Sequence, residues 1–405
     1  MLESHEAFAQ SVESLTEDLA QGVRFEQSAY RLTESGDFTN RYRVTFSSAE
    51  DIEFEINTKN IPSHLQRQLI NNESVVCSIN GGFFFLTDDK LDNPPKEIVL
   101  GTIVRDGVLC GVQSHDRPVL WVDTDGVLQV TEVISEGYVT IGNAMFSWVG
   151  NNSGQKNAEV KLFGVDSCVI QHVSDSETGT KRVLNEELSK TPAKTDIVDI
   201  VCEIREGCLV VSEKREGGGT SFLEGNFLLQ GDKEALQNIS VGDMVTINYN
   251  DLNVKEIRNA MTVGPSVFHF DAERDHPINH DRSLGDKPSF SDRRMARSVV
   301  YKTINDAVTF EVFDGAPKTA TFQGVTPEEV ADILKQNEVG LEWAYFLDPG
   351  QSARLAVRHA DGSVEGYGNR HYVRWPSSSN QPYLWAGEHG RAVPSVVNAI
   401  LKHKK

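Results

Sequence analysis

Gly340-Leu-Glu-Trp-Ala-Tyr-Phe-Leu-Asp-Pro-Gly-Gln-Ser-Ala-Arg-Leu-Ala-Val357 reads as strand, sharp turn, strand. Tyr345, Phe346 and Leu347 are bulky and suit a buried strand. Asp348-Pro349-Gly350 is turn chemistry, because Pro fixes φ and Gly accepts φ values that other residues avoid. Leu355 to Val357 resumes an extended apolar pattern. A carboxylate delivered from a buried strand into a glycine turn is held stiffly, with backbone N–H groups beside it. That suits a catalytic or anion-binding site, and it equally describes an ordinary hairpin. The rest of the chain has to decide.

Just upstream lies the clearest helix signal. Thr326 is the expected N-cap, Pro327 the first helical residue and Glu329 the partner in a capping box. Val325 and Val330 occupy staple positions, and Val330, Ile333 and Leu334 form a buried stripe. Before it, Ala296 to Tyr301 and Val308 to Phe313 read as strands paired around Asn305-Asp306, with another turn at Asp314-Gly315. Earlier still, Arg41 to Phe46 and Asp51 to Ile56 alternate apolar with polar, the pattern of half-buried strands. Ser74 to Ile79 is a buried strand that runs into Asn80-Gly81-Gly82. Hairpin turns are expected at Asp106-Gly107 and Asp125-Gly126. Strands are expected over Phe222 to Gln230 and from Val241 onward, and a Val393 to Leu401 segment closes the chain. Residues 3 to 21 read as an acidic helix, since Phe8, Val12, Leu15 and Leu19 fall at helical spacing. Short helices are expected at Pro62 to Ile70 and Lys233 to Gln237. Ser174 to Lys194 and His276 to Arg294 read as loops.

Strands dominate, so the expected class is α+β: β-rich, with a mostly antiparallel mixed sheet flanked by a few helices. No linker cuts the chain convincingly. Residues 1–72 are expected to form an appended N-terminal layer, and 73–405 the main domain.

Composition narrows the function. The chain has 405 residues, 39% hydrophobic and 24% charged, an ordinary balance for a soluble globular protein. Its formal net charge is −20, which argues against a nucleic-acid groove or an anionic membrane as the main partner. A local basic pocket for a phosphate remains compatible with that charge. The five cysteines, Cys77, Cys110, Cys168, Cys202 and Cys208, include no CxxC, so neither a zinc knuckle nor a redox motif is indicated. Cys202 and Cys208 could face each other across one hairpin, though reduced thiols are the simpler expectation. The first residues are polar and acidic, without the basic and apolar regions of a signal peptide, which points to the cytoplasm.

Four further features compete for chemistry. In Asn80-Gly81-Gly82, the glycines permit close backbone approach to a ligand and Asn80 can donate and accept, or the segment is a plain turn. Arg297 offers the planar fork of donors that phosphate needs, or it is a solvated strand-end charge. His269, His276 and His280 interleave with Asp271, Asp275 and Asp281 but match no zinc spacing. No cofactor is expected, with a divalent cation on carboxylates left open. Gly217-Gly218-Gly219 lacks the Lys-Ser/Thr of a phosphate loop and reads as a hairpin tip.

The order of these pieces resembles the phosphodiester glycosidase family, over about residues 22 to 400. Ser78-Ile-Asn-Gly-Gly-Phe-Phe84 looks like the family's strand ending in Asn-Gly-Gly-Phe-Phe. Phe222 to Gly231 followed by Val241-Gly-Asp-Met-Val245 is similar to its middle segment. Ala260 to Pro265, Arg297 to Tyr301 and Gly324 to Ala331 resemble its Gly-Pro element, its arginine strand and its helix start. Ala344 to Ser352 looks like its Leu-Asp-Gly-Gly-Gly-Ser turn, and Arg391 to Ala399 its closing segment.

The resemblance implies cleavage, by hydrolysis or glycosyl transfer, of the bond between a sugar's anomeric carbon and a phosphodiester oxygen. Such chemistry needs donors for phosphate and a carboxylate for an oxocarbenium-like centre. On that implication Asp348 is the carboxylate, acting as nucleophile or base. Arg297 and the Gly81, Gly82 and Gly350 amides bind phosphate, while Asn80, Gln351 and Ser352 orient sugar or phosphate oxygens. The implied partner is a small carbohydrate or sugar phosphate. Two departures stand out: the three glycines after the family's Asp are Pro349, Gly350 and Gln351 here, so that one amide donor is absent, and many members of the family are exported or membrane-attached whereas no export signal is read in this sequence. Different glycosidic chemistry on the same fold, in a biosynthetic pathway, and non-catalytic carbohydrate binding are the alternative readings.

Overall fold

Asp-Gly and Asn-Asp turns return the chain on itself repeatedly, and the result is mainly β. The computed structural model describes residues 10–32, 38–47, 51–86, 97–154, 157–175, 179–268, 294–315, 324–338, 340–368 and 391–402. Asp106, Glu206 and Asp306 adopt positive φ at hairpin tips, where a short polar side chain or a following glycine makes that conformation tolerable.

Four larger sheets carry the fold. A six-stranded antiparallel sheet runs in the order Gln10–Ala20, Val23–Arg31, Phe38–Phe46, Val308–Phe313, Arg297–Thr303, Leu341–Phe346. A five-stranded antiparallel sheet runs Val364–Tyr367, Leu355–Arg358, Val75–Asn80, Val393–Leu401, Ile52–Ser63. A second five-stranded sheet is built around Arg117–Asp123 and Ile257–Thr262. A seven-stranded sheet contains a parallel pair, Ala144–Gly150 with Val160–Phe163.

Three of these sheets meet in one core. Val44, Val300 and Phe310 come from the six-stranded sheet; Phe54, Ile79, Leu355 and Val397 come from the first five-stranded sheet; Leu120 and Met261 come from the second. All nine are at most 3% exposed. Phe46, Phe54 and Phe310 pack with ring centres 5.1 to 5.7 Å apart. Each such side chain stabilises the fold by about 1.5–3 kcal/mol relative to exposure. The seven-stranded sheet packs on the second five-stranded sheet in another core, which joins the buried Trp148, Ile200 and Leu229 of the former to Val104, Val119 and Ala260 of the latter.

Two α-helices are present among the described residues. Helix α1 (Leu65–Asn71) buries Leu65 and Leu69 against Val75, Ala356 and Val396. Helix α2 (Pro327–Asn337) has the full capping box, and Val330, Ile333 and Leu334 cover the outer face of the six-stranded sheet at Val299, Tyr301 and Phe346.

The strand-rich, mostly antiparallel architecture with few helices is as expected, but several local expectations are corrected. The helix expected over residues 3–21 is a strand from Gln10 to Ala20, paired with Val23–Arg31 across a turn in which Gly22 takes φ +72°. Sheet pairing wins over the helical spacing, and Leu15 is left 63% exposed. Within the expected Ser174–Lys194 loop, Gly179–Leu184 pairs with Ile170–Asp175. Residues 233–238 form turns, not a helix. The strand expected from Phe222 begins at Phe227. Pro62 belongs to a strand, and α1 starts at Leu65. Residues 276–293 of the long loop, with His276, His280 and their aspartates, and His269 and Asp271 before it, lie outside the described residues.

Candidate active site

The Asp348 turn is a crossover between sheets. Leu341–Phe346 pairs with Arg297–Thr303 in the six-stranded sheet, whereas Leu355–Arg358 pairs with Val75–Asn80 in the five-stranded one. Asp348, half-buried, therefore sits where two sheets part. The one-turn helix Gly350–Ser352 makes the bend, with Gly350 at φ +67°. An L side chain is strained there, which accounts for glycine at that position.

Asn80 holds this crossover together. It ends the Val75–Asn80 strand and is fully buried. Its Nδ2 donates to the Asp348 carbonyl at 2.8 Å and to the Gly81 carbonyl at 3.3 Å. Its Oδ1 accepts from Ser298 Oγ at 2.6 Å and from the Arg354 amide at 3.1 Å. An amide side chain has two N–H donors and two acceptor lone pairs, and all four are used here. The Asp348 amide in turn donates to the Gly81 carbonyl at 3.0 Å. Three segments far apart in the chain thus meet at one residue.

The three glycine amides expected to face a phosphate all donate inward. Gly81 N–H reaches Ser395 O at 2.7 Å, Gly350 N–H reaches Ala296 O at 2.7 Å, and Gly82 N–H points at Met261 Sδ at 3.3 Å. The glycines are needed for space. A Cβ on Gly81 would lie 2.4 Å from Ser395 Oγ, and one on Gly82 would lie 2.1 Å from Thr262 O.

Arg297 and Ser298 point to opposite faces of their strand, as the two-residue period requires. Ser298 reaches Asn80. Arg297, 3% exposed, lies on the α2 side, where Nε donates to Val325 O at 2.9 Å and the guanidinium sits 5.7 Å from the Phe346 ring centre. Ser352 is 1% exposed, and its hydroxyl has no partner among the described residues. Gln351 occupies the middle of the Gly350–Ser352 turn.

The Asn80-Gly81-Gly82 segment continues into Phe83, which lines a small pocket with Leu100, Gly101, His115, Arg117, Asp166 and Thr262. Here His115 Nδ1 lies 3.2 Å from Asp166 Oδ2 and 3.2 Å from Ser114 Oγ. The Ser114 amide donates to the same carboxylate oxygen at 2.8 Å, and Ser167 Oγ donates to Ser114 Oγ at 2.8 Å. Burial alone would raise the Asp166 carboxyl, but the hydrogen bonds from His115 and Ser114 outweigh it and hold the group below its usual range. His115 and Asp166 are 51 residues apart and belong to no local motif, so sequence reading missed them. Among the described residues, no group of three His, Cys, Asp or Glu is placed to hold a metal ion. All five cysteines are free thiols; Cys208 lies opposite Arg205, not Cys202.

Sequence comparison bears on what these segments are. Residues 199–398 match the phosphodiester glycosidase family. The matched residues take in Arg297, α2 and the Asp348 turn, while Asn80-Gly81-Gly82 lies before them. No curated protein matches the chain. Among solved structures, a hypothetical protein from Synechocystis has a TM-score of 0.56 at 14% identity, covering 98% of this chain and 68% of that one. A candidate exported protein from Burkholderia pseudomallei has a TM-score of 0.56 at 13% identity, covering 97% of each chain. These likenesses establish the fold alone. The catalytic domain of zebrafish N-acetylglucosamine-1-phosphodiester alpha-N-acetylglucosaminidase, auto-inhibited by its pro-peptide, has a TM-score of 0.42 at 13% identity, covering 96% of this chain and 88% of that one. No described helix is long and apolar enough to cross a membrane.

Proposed function

We propose that the chain is a phosphodiester glycosidase-type hydrolase whose reaction takes place at the Asp348 turn. The observation that carries this reading is the Asn80 node, which binds the Asp348 turn to the Asn80-Gly81-Gly82 segment and the Arg297–Thr303 strand within a fold whose residues 199–398 match that family. Asp348 is the carboxylate that meets positive charge developing at the anomeric carbon, as nucleophile or as base for water. Arg297 supplies the cation for phosphate, held in place by Val325 O and the Phe346 ring. Ser352 offers a hydroxyl to a sugar or phosphate oxygen. Asn80 is a positioning residue, since its hydrogen-bonding capacity is taken up by the protein. With the Gly81, Gly82 and Gly350 amides turned inward, phosphate recognition falls to side chains.

The test is a panel of sugar-1-phosphodiesters assayed for release of free sugar, with Asp348→Asn beside the wild type. A removed nucleophile or base lowers turnover by at least about 10²-fold on the scale of general acid–base contributions. Turnover unchanged in Asp348→Asn overturns the assignment.

A further inference from the structure

We propose that the outer face of the strands Glu136–Ile141, Ala144–Gly150 and Val245–Tyr249 is a docking surface for a basic, apolar peptide segment of a partner protein. Alternation along these strands makes the face. Val139 and Ile141, Phe146 and Trp148, and Val245 and Ile247 enter the core beneath. The residues between them, Tyr138 and Thr140, Met145 and Ser147, and Thr246 and Asn248, therefore point outward. Register sets their order: Tyr138 lies between Ser147 and Asn248, and Thr140 between Met145 and Thr246. Met244 follows, its carbonyl accepting from the Gly142 amide at 2.9 Å, and it bridges to Val210 on the strand Cys208–Glu216. Val241 stands in the turn just before it.

An apolar side chain exposed singly is ordinary, whereas a contiguous set marks an interaction site. Tyr138 is 50% exposed, Met244 52%, Val241 59% and Met145 66%, so this one face holds four of the nine large apolar side chains exposed among the described residues. Tyr and Met are enriched at the centre of protein interfaces, and the flexible thioether of Met adapts to the surface it meets. Met261 and Met295, by contrast, are buried.

Charge selects the occupant. Glu136 lies on the same face two residues before Tyr138, and accepts from Asn250 Nδ2 at 3.1 Å. Glu159 accepts from the Ser147 amide at 2.8 Å, and Asp243, next to Met244, accepts from the Ser240 amide at 2.8 Å. These donors are neutral, and among the described residues no lysine, arginine or histidine pairs with any of the three carboxylates. Lys161, opposite Val149, is a cation at the far end of the face. Three carboxylates against that ammonium, on a chain of formal net charge −20, favour a partner carrying positive charge. A second copy of the chain would bring its own −20 and is disfavoured. The seven-stranded sheet contributes no residue to the Asp348 turn, so docking here does not depend on the reaction proposed above.

The experiment follows methionine methyl groups by NMR in protein labelled with ¹³C-methyl methionine, with Met145→Leu and Met244→Leu assigning the two exposed signals. The probe is a synthetic peptide in which Leu and Phe alternate with Lys, compared with its counterpart carrying Glu at each Lys position. The Met145 and Met244 methyls are expected to shift saturably with the lysine peptide and not with the glutamate one, while the Met261 and Met295 methyls stay in place. Added salt is expected to weaken the binding. Tyr138→Ser, and charge reversal by Glu136→Lys with Glu159→Lys, are each expected to weaken it at least about tenfold. The buried methyls report whether each variant is folded; if the double reversal is not, Asp243→Asn with Glu159→Gln serves and weakens binding by a smaller factor. Equal shifts with both peptides, or none with the lysine peptide, overturn the proposal. Shifts that grow with protein concentration alone would assign the face to a second copy, and shifts with maltoheptaose but not with the peptide would assign it to a glycan; either outcome also overturns it.

Discussion

Asn80 Nδ2 donates to the backbone carbonyl of Asp348 at 2.8 Å, across 268 residues of chain. The bond fixes the turn's main chain without engaging the Asp348 carboxylate, so a side chain that acts on substrate can be aimed by one that does not. Asn80→Ala leaves the Ser298 hydroxyl and the Arg354 amide without this acceptor and the Asp348 carbonyl without this donor. Each buried group left unsatisfied costs about 1–3 kcal/mol, so the variant is expected to lose about 3 kcal/mol or more. Urea denaturation measures this. A midpoint within error of wild type would show that water replaces the side chain and that the node is not structural.

The sequence stretch around Asp348 made the turn legible but not the crossover. Asp348-Pro349-Gly350 announces a reversal, yet nothing local says that Phe346 pairs with Val299 while Leu355 pairs with Ile79. The α2 cap was legible because Thr326 and Glu329 satisfy each other within one turn. The first strand was not, because spacing of Leu15 and Leu19 cannot reveal a partner strand beyond Gly22. The same limit applies to the site. Asn80 was legible as a polar residue beside glycines, but its saturation depends on Ser298, Arg354 and Asp348, which only folding supplies. His115 and Asp166 gave no signal at all, since neither sits in a recognisable spacing.

Gly82 separates a spatial requirement from a conformational one. It is not at positive φ, yet a Cβ there would lie 2.1 Å from the Thr262 carbonyl oxygen, which belongs to a buried strand. Backbone cannot swing aside as a side-chain end can. Gly82→Ala is expected to destabilise by about 1–3 kcal/mol, the usual range for overpacking. Gly219→Ala, where nothing lies within 4 Å but φ is +81°, tests strain alone. Thermal melts of the two variants compare the effects; a neutral Gly82→Ala would mean that the Asn80-Gly81-Gly82 segment is free to move.

The buried pair Arg41–Glu311 should behave differently when broken and when replaced. Arg41 is 1% exposed and Glu311 fully buried, with Arg41 Nη2 on Glu311 Oε2 at 2.9 Å and Tyr301 OH on the same oxygen at 2.9 Å. Glu311→Ala strands a buried guanidinium, which Glu338 answers only in part, and is expected to cost about 3–5 kcal/mol. Arg41→Met with Glu311→Leu removes both charges and is expected to recover most of that loss. Chemical denaturation of the single and double variants decides; a double variant as weak as the single one would show that Tyr301 and Glu338, rather than the pair, set the cost.

Glu17 gives the fold a pH dependence of defined sign. Its carboxylate accepts from the Ala360 amide at 3.0 Å and lies 2.7 Å from His359 Nδ1, fastening the first strand to the hairpin that follows Leu355–Arg358. The Ala360 hydrogen bond first, and the His359 contact second, hold this carboxyl below the ordinary glutamate value of 4.5. A carboxyl depressed in the folded state favours folding when ionised. Its contribution is complete above the ordinary value and is lost as pH falls through the lower, folded one. Glu17→Gln should therefore be less stable than wild type above the ordinary glutamate value, and that margin should close as pH falls through the lower, folded one. The side chain is one-third exposed, so salt should also shrink the margin. Urea midpoints of both proteins across this pH range, at low and high ionic strength, measure it. A margin that persists unchanged into acid would assign the effect to shape rather than charge.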